Sequence, residues 1–564
     1  MKKRWKLIPT DESEVRQLQE ALKIHPIFCQ LLVQRGIKTF EEAKSFFRPE
    51  LSHLHDPFLM KDMEAALLRL EKAIQDEERI LLYGDYDVDG TTSVALLYSF
   101  LKNHHSKLDY YIPDRYKEGY GISMQGIDFA KQNGISLIIA MDCGIKANKQ
   151  VEKAKTLGID FIICDHHLPE GQLPRAAAVL DPKRPDCAYP YKELSGCGVA
   201  FKLAQAFVQK NELPFETLTE LLDFLVISIA SDIVPMTGEN RVLAFYGLKK
   251  LNRTQRPGLK ALIAESQRLA PLNINDIVFG LGPMINAAGR LADAQQAVRL
   301  MLSNEKHLAF ENARILNQRN EKRKEYDLLI AEEAKMLFRQ FSGWQNRKSI
   351  VLYQPHWHKG IVGIAASRLV EQFHRPTIIL TESNGMAVGS ARSIRGFNVY
   401  EALKGCDDLL VNFGGHFYAA GMTLESERVS SFRERFESIV SETIEPEMLT
   451  PEVEISTLLS LKEITPKFWR ILKQFAPFGP GNRSPVFASK NVQDIGYSKL
   501  LKGNHLRLSV KQGDSSPIYG VAFGRGDAFE KVRTRKPFHI CYKLEENNWE
   551  GRQSIQLMVK DLKF

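Results

Sequence analysis

A chain of 564 residues is longer than one hydrophobic core usually absorbs, so three or four domains are expected. With 44% hydrophobic, 26% charged and 9% aromatic residues, it has the composition of a folded globular protein, which excludes disordered, collagenous and disulfide-stapled peptide classes. The formal charge is +8. Residues 496–564 hold 13 Lys/Arg against 7 Asp/Glu, so one basic end carries most of that charge, as suits a locally gripped polyanion.

The seven cysteines (Cys29, Cys143, Cys164, Cys187, Cys197, Cys406, Cys541) are scattered and never form a CxxC pair, which argues against a zinc ribbon or a disulfide framework. The opening Met1 to Thr10 has no apolar run of signal length, and no stretch approaches 18 apolar residues. The expectation is a cytoplasmic protein that does not enter a membrane.

Residues 1–75 read as short helices with polar turns, as around Thr39 to Phe47, ending in the amphipathic run Met63 to Ile74. From Arg79 apolar runs alternate with helical patterns: Ile80–Tyr83, Leu137–Met141, Phe161–Cys164 and Ala177–Leu180. Such alternation predicts βαβ units around a parallel sheet. An apolar helix is expected over Leu221 to Ala230. Residues 300–341, charged and free of Gly and Pro, predict one long, largely solvated connecting helix. A second strand-and-helix region follows from Ser349 to about 450. Beyond 451, period-2 alternation in His505–Lys511 and Ser554–Val559 predicts a small barrel or sandwich.

The first predicted strand ends in Gly84-Asp85-Tyr86-Asp87-Val88-Asp89-Gly90. Three carboxylates within five residues repel one another, and burying them without a cation would raise their pKa values. An EF-hand loop begins similarly but needs a bidentate Glu at its twelfth position. Leu96 stands there. Two later strands also end in ligands, at Asp142-Cys-Gly144 and Asp165-His166-His167, and Asp232 follows the apolar helix. In an open parallel sheet the strand tips share one edge, so Asp85, Asp87, Asp89, Asp142, Asp165, His166 and His167 should converge there, with Asp232 joining from a helix. Carboxylates with one or two imidazoles suit Mg2+ or Mn2+, and the donors suffice for two ions, the arrangement used in phosphoester hydrolysis.

These motifs, with Ser231-Asp232-Ile-Val-Pro, resemble those of the DHH phosphoesterase superfamily, and within it the branch of single-strand-specific exonucleases. The resemblance runs almost end to end: His55-Asp-Pro-Phe-Leu-Met-Lys-Asp-Met63, Glu118-Gly-Tyr-Gly121, Leu194-Ser-Gly-Cys-Gly-Val-Ala-Phe201, Asn286-Ala-Ala-Gly-Arg290, Trp357-His-Lys-Gly-Ile-Val-Gly363, Gly389-Ser-Ala-Arg-Ser393, Gly414-Gly-His416 and Pro477-Phe-Gly-Pro-Gly-Asn482. It implies one metal site from Asp89, Asp142, His166 and Asp232, and a second from Asp85, Asp87 and the shared Asp142. Asp165 and His167 would complete the catalytic centre, with His167 contacting phosphate or assisting proton transfer. Met284 stands where many relatives have Arg, which removes one secondary phosphate contact and spares Arg290.

Recognition of a chain end calls for phosphate contacts. Ser390 with Arg392 offers a hydroxyl and a guanidinium fork, and Gly414, Gly415 and His416 offer backbone N–H groups beside an imidazole. Arg115 is a third candidate. The resemblance implies that both motifs belong to a DHH-associated domain facing the metals across a cleft that admits only a single strand. In the basic end, Lys499, Lys502, Arg507, Lys511, Arg525, Lys531, Arg533, Arg535 and Lys536 interleave with Tyr497, Tyr519, Phe523, Phe538 and Tyr542, as a stacking platform for single strands requires. Half of these aromatics are expected in the barrel core, Phe523 among them.

The expected fold class is α/β: a parallel-sheet DHH domain (76–299) after an N-terminal helical segment (1–75), a connecting helix (300–345), a DHH-associated α/β domain (346–450), and a C-terminal OB-type β-barrel (451–564). The expected activity is Mn2+- or Mg2+-dependent 5′ to 3′ exonucleolysis of single-stranded DNA by a monomer acting in recombination and repair. Family analogy adds a single-strand binding protein and a helicase as partners. Two rival readings make different demands on the sequence. A DHH enzyme for small nucleotides would not need the basic barrel, and a non-catalytic binding factor would not keep every ligand. Two bound divalent ions would raise the formal charge from +8 to +12.

Overall fold

The computed structural model describes residues 3–291, 293–549 and 552–564. The chain divides into two compact units, one built from residues 5–289, 293–314 and 453–564, the other mainly from residues 290–291 and 315–452.

The larger unit is organised on five parallel strands: β1 (Ile80–Gly84), β2 (Leu108–Tyr111), β3 (Leu137–Met141), β4 (Asp160–Cys164) and β5 (Ala178–Leu180), in the order β2-β1-β3-β4-β5. β1 and β3 are buried along their whole length, as expected of parallel strands covered on both faces. β2, the edge strand Leu-Asp-Tyr-Tyr, is half-buried and lacks the apolar run by which the other four were legible. One face packs through Leu81, Tyr83, Ile138, Phe161 and Ile163 against Ile127 and Val151 of two helices. The other carries α1 (Val88–Leu101), α2 (Gly196–Lys210) and α3 (Leu222–Ser231), three mutually packed helices that are buried nearly all round. This strand order changes direction between β1 and β3, the point where such sheets bind ligands at their carboxyl edge.

The smaller unit holds β6 (Ile350–Tyr353), β7 (Thr377–Ser383), β8 (Met386–Arg392), β9 (Asn412–His416) and β10 (Ala419–Glu425) in the order β9-β10-β8-β7-β6, antiparallel except for β6 with β7. The predicted single helix over 300–341 is two: one ends at Leu302, and α4 (Lys306–Gln340) begins after Ser303-Asn304-Glu305. Without Gly or Pro to mark it, the break left no signal in the composition. Among the described residues no helix is long and apolar enough to cross a membrane.

The C-terminal section of the larger unit forms β11 (Phe487–Asp494), β12 (His505–Lys511), β13 (Ile518–Ala522), β14 (Phe538–Trp549) and β15 (Arg552–Lys563). Pairing runs β11-β14-β15-β13-β12, and β12 returns to β11, closing a five-stranded ring of OB type. Phe487, Leu508, Phe538 and Tyr542 fill it, and Phe28 and Leu31 from the N-terminal helices join the same cluster. Phe523 does not. It is 59% exposed because β13 ends at Ala522 and the chain turns there, standing the ring edge-on to His505.

The motif ending in Asn482 has a structural role. The Asn482 amide donates to the carbonyls of Phe475 and Pro477 and accepts from Arg35. Arg241, nearly buried and stacked 3.8 Å from the centre of the Phe46 ring, donates to the carbonyls of Phe46, Gln474, Phe475, Ala476 and Pro477.

Candidate metal centre and phosphate-binding residues

Four successive strand tips deliver carboxylates. Asp85 follows β1, Asp142 follows β3, Asp165 follows β4 and Asp181 follows β5; Asp85, Asp142, Asp165 and Asp181 are all buried. Asp87 caps α1 by accepting from the Gly90 amide, which puts Asp89 in the first helical turn. Asp232 ends α3. The Nε2 of His166 lies among three carboxylates, 3.1 Å from Asp142, 3.6 Å from Asp89 and 3.7 Å from Asp232. Ligand atoms of Asp89, His166 and Asp232, and of Asp142, His166 and His167, fall within 4.8 Å of one another.

The scaffold fits these groups closely. Both Asp89 oxygens accept from the amides that open α2, Gly196 at 2.6 Å and Cys197 at 2.9 Å, and Ser228 donates a third bond at 2.7 Å. A helix N-terminus thus favours that carboxylate. A Cβ on Gly196 would lie 2.6 Å from the Cβ of Asp142, and one on Gly90 would lie 2.4 Å from the Asp85 backbone, so glycine alone fits at either position. Sequence reasoning gave Leu194-Ser-Gly-Cys-Gly no role. The signal was a Ser followed by small residues opening an apolar helix, the pattern of an N-cap, and Ser195 caps α2.

Asp165 accepts from the His166 and His167 amides and from His167 Nδ1 on one oxygen, and from the Ile145 amide on the other. Burial opposes its ionisation, but the bond and charge of His167 outweigh this and hold the carboxyl down to about 2. Burial correspondingly disfavours protonated His167, and Asp165 more than restores it, so the imidazole titrates above its usual value. The remaining carboxylates behave oppositely. Burial, then Asp87, pushes Asp85 well up; burial, then Asp89, does so for Asp142 and Asp232, and raises Asp87. Burial raises Asp181 to about 7.

These residues fit divalent cations. Like-charged buried oxygens lack compensation, Asp85 Oδ2 and His166 Nδ1 are buried without a hydrogen-bond partner, and the donors are hard oxygens with imidazole nitrogen. Arg115 joins this neighbourhood: its guanidinium stacks on Tyr86 at 4.7 Å and favours the ionised form of Asp85.

The other phosphate candidates lie in the smaller unit. Cross-strand register sets Ser390 opposite Gly421, which faces Gly414, and Arg392 opposite Ala419, which faces His416. Gly414 and Gly415 thus sit on an edge strand rather than in a turn. Arg392 donates to Ser390 Oγ, and a Cβ on Gly363 would lie 2.8 Å from Arg392 and 3.0 Å from Ser390, so both side chains rest against the first turn of α5 (Val362–Phe373). Arg290 donates to the Gly360 carbonyl just before it. Hydroxyl, guanidinium and helix N-terminus together suit an anion.

On the barrel, Lys499, Arg507 and Tyr519 are exposed on adjoining strands, with Arg507 5.3 Å from the Tyr519 ring, and Tyr497 and Phe523 are exposed nearby in the chain. Phe538 and Tyr542 are core residues. Arg525 is tied to Asp561.

Carboxylates on the tips of a 2-1-3-4-5 parallel sheet, with paired histidines after β4, define a DHH-type phosphoesterase. The DHH family N-terminal domain matches residues 79–229, the DHHA1 domain residues 346–442 and the RecJ OB domain residues 455–561. The chain is 40% identical to the single-stranded-DNA-specific exonuclease RecJ of Bacillus subtilis, over 99% of this chain and 71% of that protein. It is 33% identical to that of Escherichia coli over 96% of each. The crystal structure of Thermus thermophilus RecJ in complex with Mn2+ superposes with a TM-score of 0.85 at 27% identity, covering 100% of this chain and 79% of that one. The chain belongs to the RecJ family.

Proposed function

We propose that this protein is a Mn2+- or Mg2+-dependent exonuclease that degrades single-stranded DNA from the 5′ end, releasing 5′ mononucleotides, in recombination and repair. The observation that carries this reading is the convergence of Asp85, Asp87, Asp89, Asp142 and Asp232 with His166, where burial, then mutual repulsion, raises Asp85, Asp87, Asp142 and Asp232. Asp89, Asp142, His166 and Asp232 would hold one ion, and Asp85, Asp87 and Asp142 a second. Such ions supply Lewis-acid activation of water and charge stabilisation at phosphorus. Asp165 fixes the His167 ring and favours its protonated form, from which it can donate to an oxygen of the scissile group. Ser390, Arg392 and His416 supply contacts for a terminal phosphate, and Tyr497, Tyr519 and Phe523 offer sequence-tolerant stacking.

The test is incubation with Mn2+ and 5′-labelled single-stranded DNA, duplex DNA or a cyclic dinucleotide, alongside Asp142→Ala. Labelled mononucleotide should appear from the single strand alone and vanish in the variant. Cleavage of the dinucleotide alone, or no turnover, refutes the reading.

A further inference from the structure

The turn joining β9 to β10 is made by Phe417 and Tyr418 alone, because His416 already pairs with Ala419. A two-residue hairpin loop ordinarily draws Asn, Asp or Gly, which accept the left-handed backbone of its favoured turns. Here two large aromatics stand instead, and neither has a positive φ. The tip is held from outside the hairpin: the Ser393 amide donates to the Tyr418 carbonyl at 2.9 Å, and the Val399 amide to the Phe417 carbonyl at 3.0 Å. The two rings meet edge to face at 4.7 Å, yet Phe417 is 41% and Tyr418 52% exposed. Neither the turn nor the core of this unit requires aromatic rings at that place.

The surface beside the tip shows what would cover it. Directly opposed residues share a sheet face, so Arg392, Ala419 and His416 form one row across β8, β10 and β9, and Ser390, Gly421 and Gly414 form the next row on the same face. Between the hydroxyl, guanidinium and imidazole that suit an anion, this face is nearly bare. A Cβ on Gly414 would meet nothing within 4 Å, and one on Gly421 only the Gly389 carbonyl at 3.9 Å. An open shelf of backbone therefore lies among the anion-binding side chains and ends at the aromatic tip. Anion contacts, then flat room, then aromatic rings follow the order of phosphate, sugar and base in a nucleotide. We propose that Phe417 and Tyr418 stack the base of the nucleotide whose 5′ phosphate is held by Ser390, Arg392 and His416. Aromatic rings accept any base, so this contact selects an end that carries a base without reading its sequence.

This inference rests on the exonuclease reading, and the test separates the two. Wild type, Phe417→Ala and Tyr418→Ala are compared on 5′-phosphorylated single strands that differ only in the terminal residue, one bearing thymine and one abasic. Wild type should cleave the abasic end with kcat/KM about tenfold lower. The alanine variants should lose about fivefold or more on the thymine end and stay within about twofold of wild type on the abasic end, with an unchanged melting temperature. Equal losses on both ends, no loss on the thymine end, or an earlier melt overturns the stacking role. A second readout needs no turnover: in EDTA, binding a strand with 2-aminopurine as its 5′-terminal base should quench that base's fluorescence, and replacing both aromatics by alanine should abolish the quenching. Absence of quenching by wild type overturns the stacking role and leaves the tip to a protein partner. Quenching by a wild type that cleaves neither strand overturns the exonuclease reading instead.

Discussion

Replacing Asp165 with Asn tests whether this carboxylate acts through His167 or binds metal. In the wild type it satisfies four N–H groups at 2.7 to 3.2 Å while being 1% exposed, so solvent screens it little. Asn keeps the shape but loses the charge, and it turns an NH2 toward either Ile145 or the His167 pair. The carboxyl titrates at about 2 against an ordinary 3.8, which favours its charged form by roughly 2 kcal/mol. This stabilisation is present above pH 4 and lost as pH falls through 2, because the folded pKa is the depressed one. In the variant kcat should fall at least about tenfold, and the basic limb of its pH profile should move to lower pH, because Asp165 is what raises His167. Mn2+ affinity should stay within about threefold. The assay is release of labelled mononucleotide at saturating Mn2+ from pH 5 to 9, with calorimetric Mn2+ titration in parallel. A kcat within twofold of wild type, or a Mn2+ affinity lowered more than tenfold, would refute the assignment.

Gly196→Ala should lower Mn2+ affinity at least about tenfold with an unchanged circular dichroism spectrum, since its Cβ would lie 2.6 Å from that of Asp142; unaltered affinity would show that the α2 entrance does not set the Asp142 position. Arg241→Lys should destabilise the protein by about 3 kcal/mol, read as an earlier thermal or urea transition, because an ammonium cannot reach five carbonyls; an unshifted transition would sink this account. Tyr519→Ala and Phe523→Ala should each weaken single-strand binding by about 1–3 kcal/mol without lowering the melting temperature, whereas Phe538→Ala should lower it; the reverse pattern by fluorescence anisotropy and thermal melting would place the stacking surface elsewhere. Because Asp85, Asp142, Asp232 and Asp181 titrate above ordinary carboxyls, the folded metal-free chain binds more protons than the unfolded one, so these groups weaken it as pH rises from about 4 through 7. Asp85→Asn should therefore raise the metal-free melting temperature at pH 7.5 and reduce the rise produced by Mn2+; a lower metal-free value would contradict the sign.

The strand tips were legible because chemistry and topology coincide there: an apolar run fixes a buried strand, and the carboxylate after it has no structural reason to be buried. Asp181 obeys the same rule after β5, whose apolar run Ala177–Leu180 was legible, and went unread because Asp181-Pro looks like an ordinary turn. Groups acting through another residue left less trace. Ser228 sits in a largely apolar helix, and only the folded chain reveals that its hydroxyl faces Asp89. Phe523 shows the opposite failure. Its neighbours Val521 and Ala522 suggested a core position, but whether a residue at a strand end points inward depends on where the strand stops, which sequence alternation resolves poorly. Nor does sequence position reveal that Phe28 and Phe487 share one core, because that packing joins segments more than 400 residues apart.

The charge arithmetic also changes once the site has geometry. Two divalent ions on fully ionised ligands bring the formal +8 to +12, but the gain is four only if every ligand was ionised beforehand. Asp85, Asp87, Asp142 and Asp232 are each held above the usual carboxylate range by burial and mutual repulsion, so ion binding must displace protons wherever they remain. The gain in net charge on loading is then smaller at lower pH, and metal affinity rises with pH over the same interval. DNA binding by the basic barrel should follow a different variable. Its exposed Lys499, Lys502 and Arg507 neutralise phosphates and release counterions, so affinity there should fall with salt and change little with pH between 6 and 8. Measuring binding and hydrolysis separately, each against salt and against pH, should therefore give two different dependences; a single shared one would mean that the grip on DNA and the hydrolytic centre are not the separate sites their residues define.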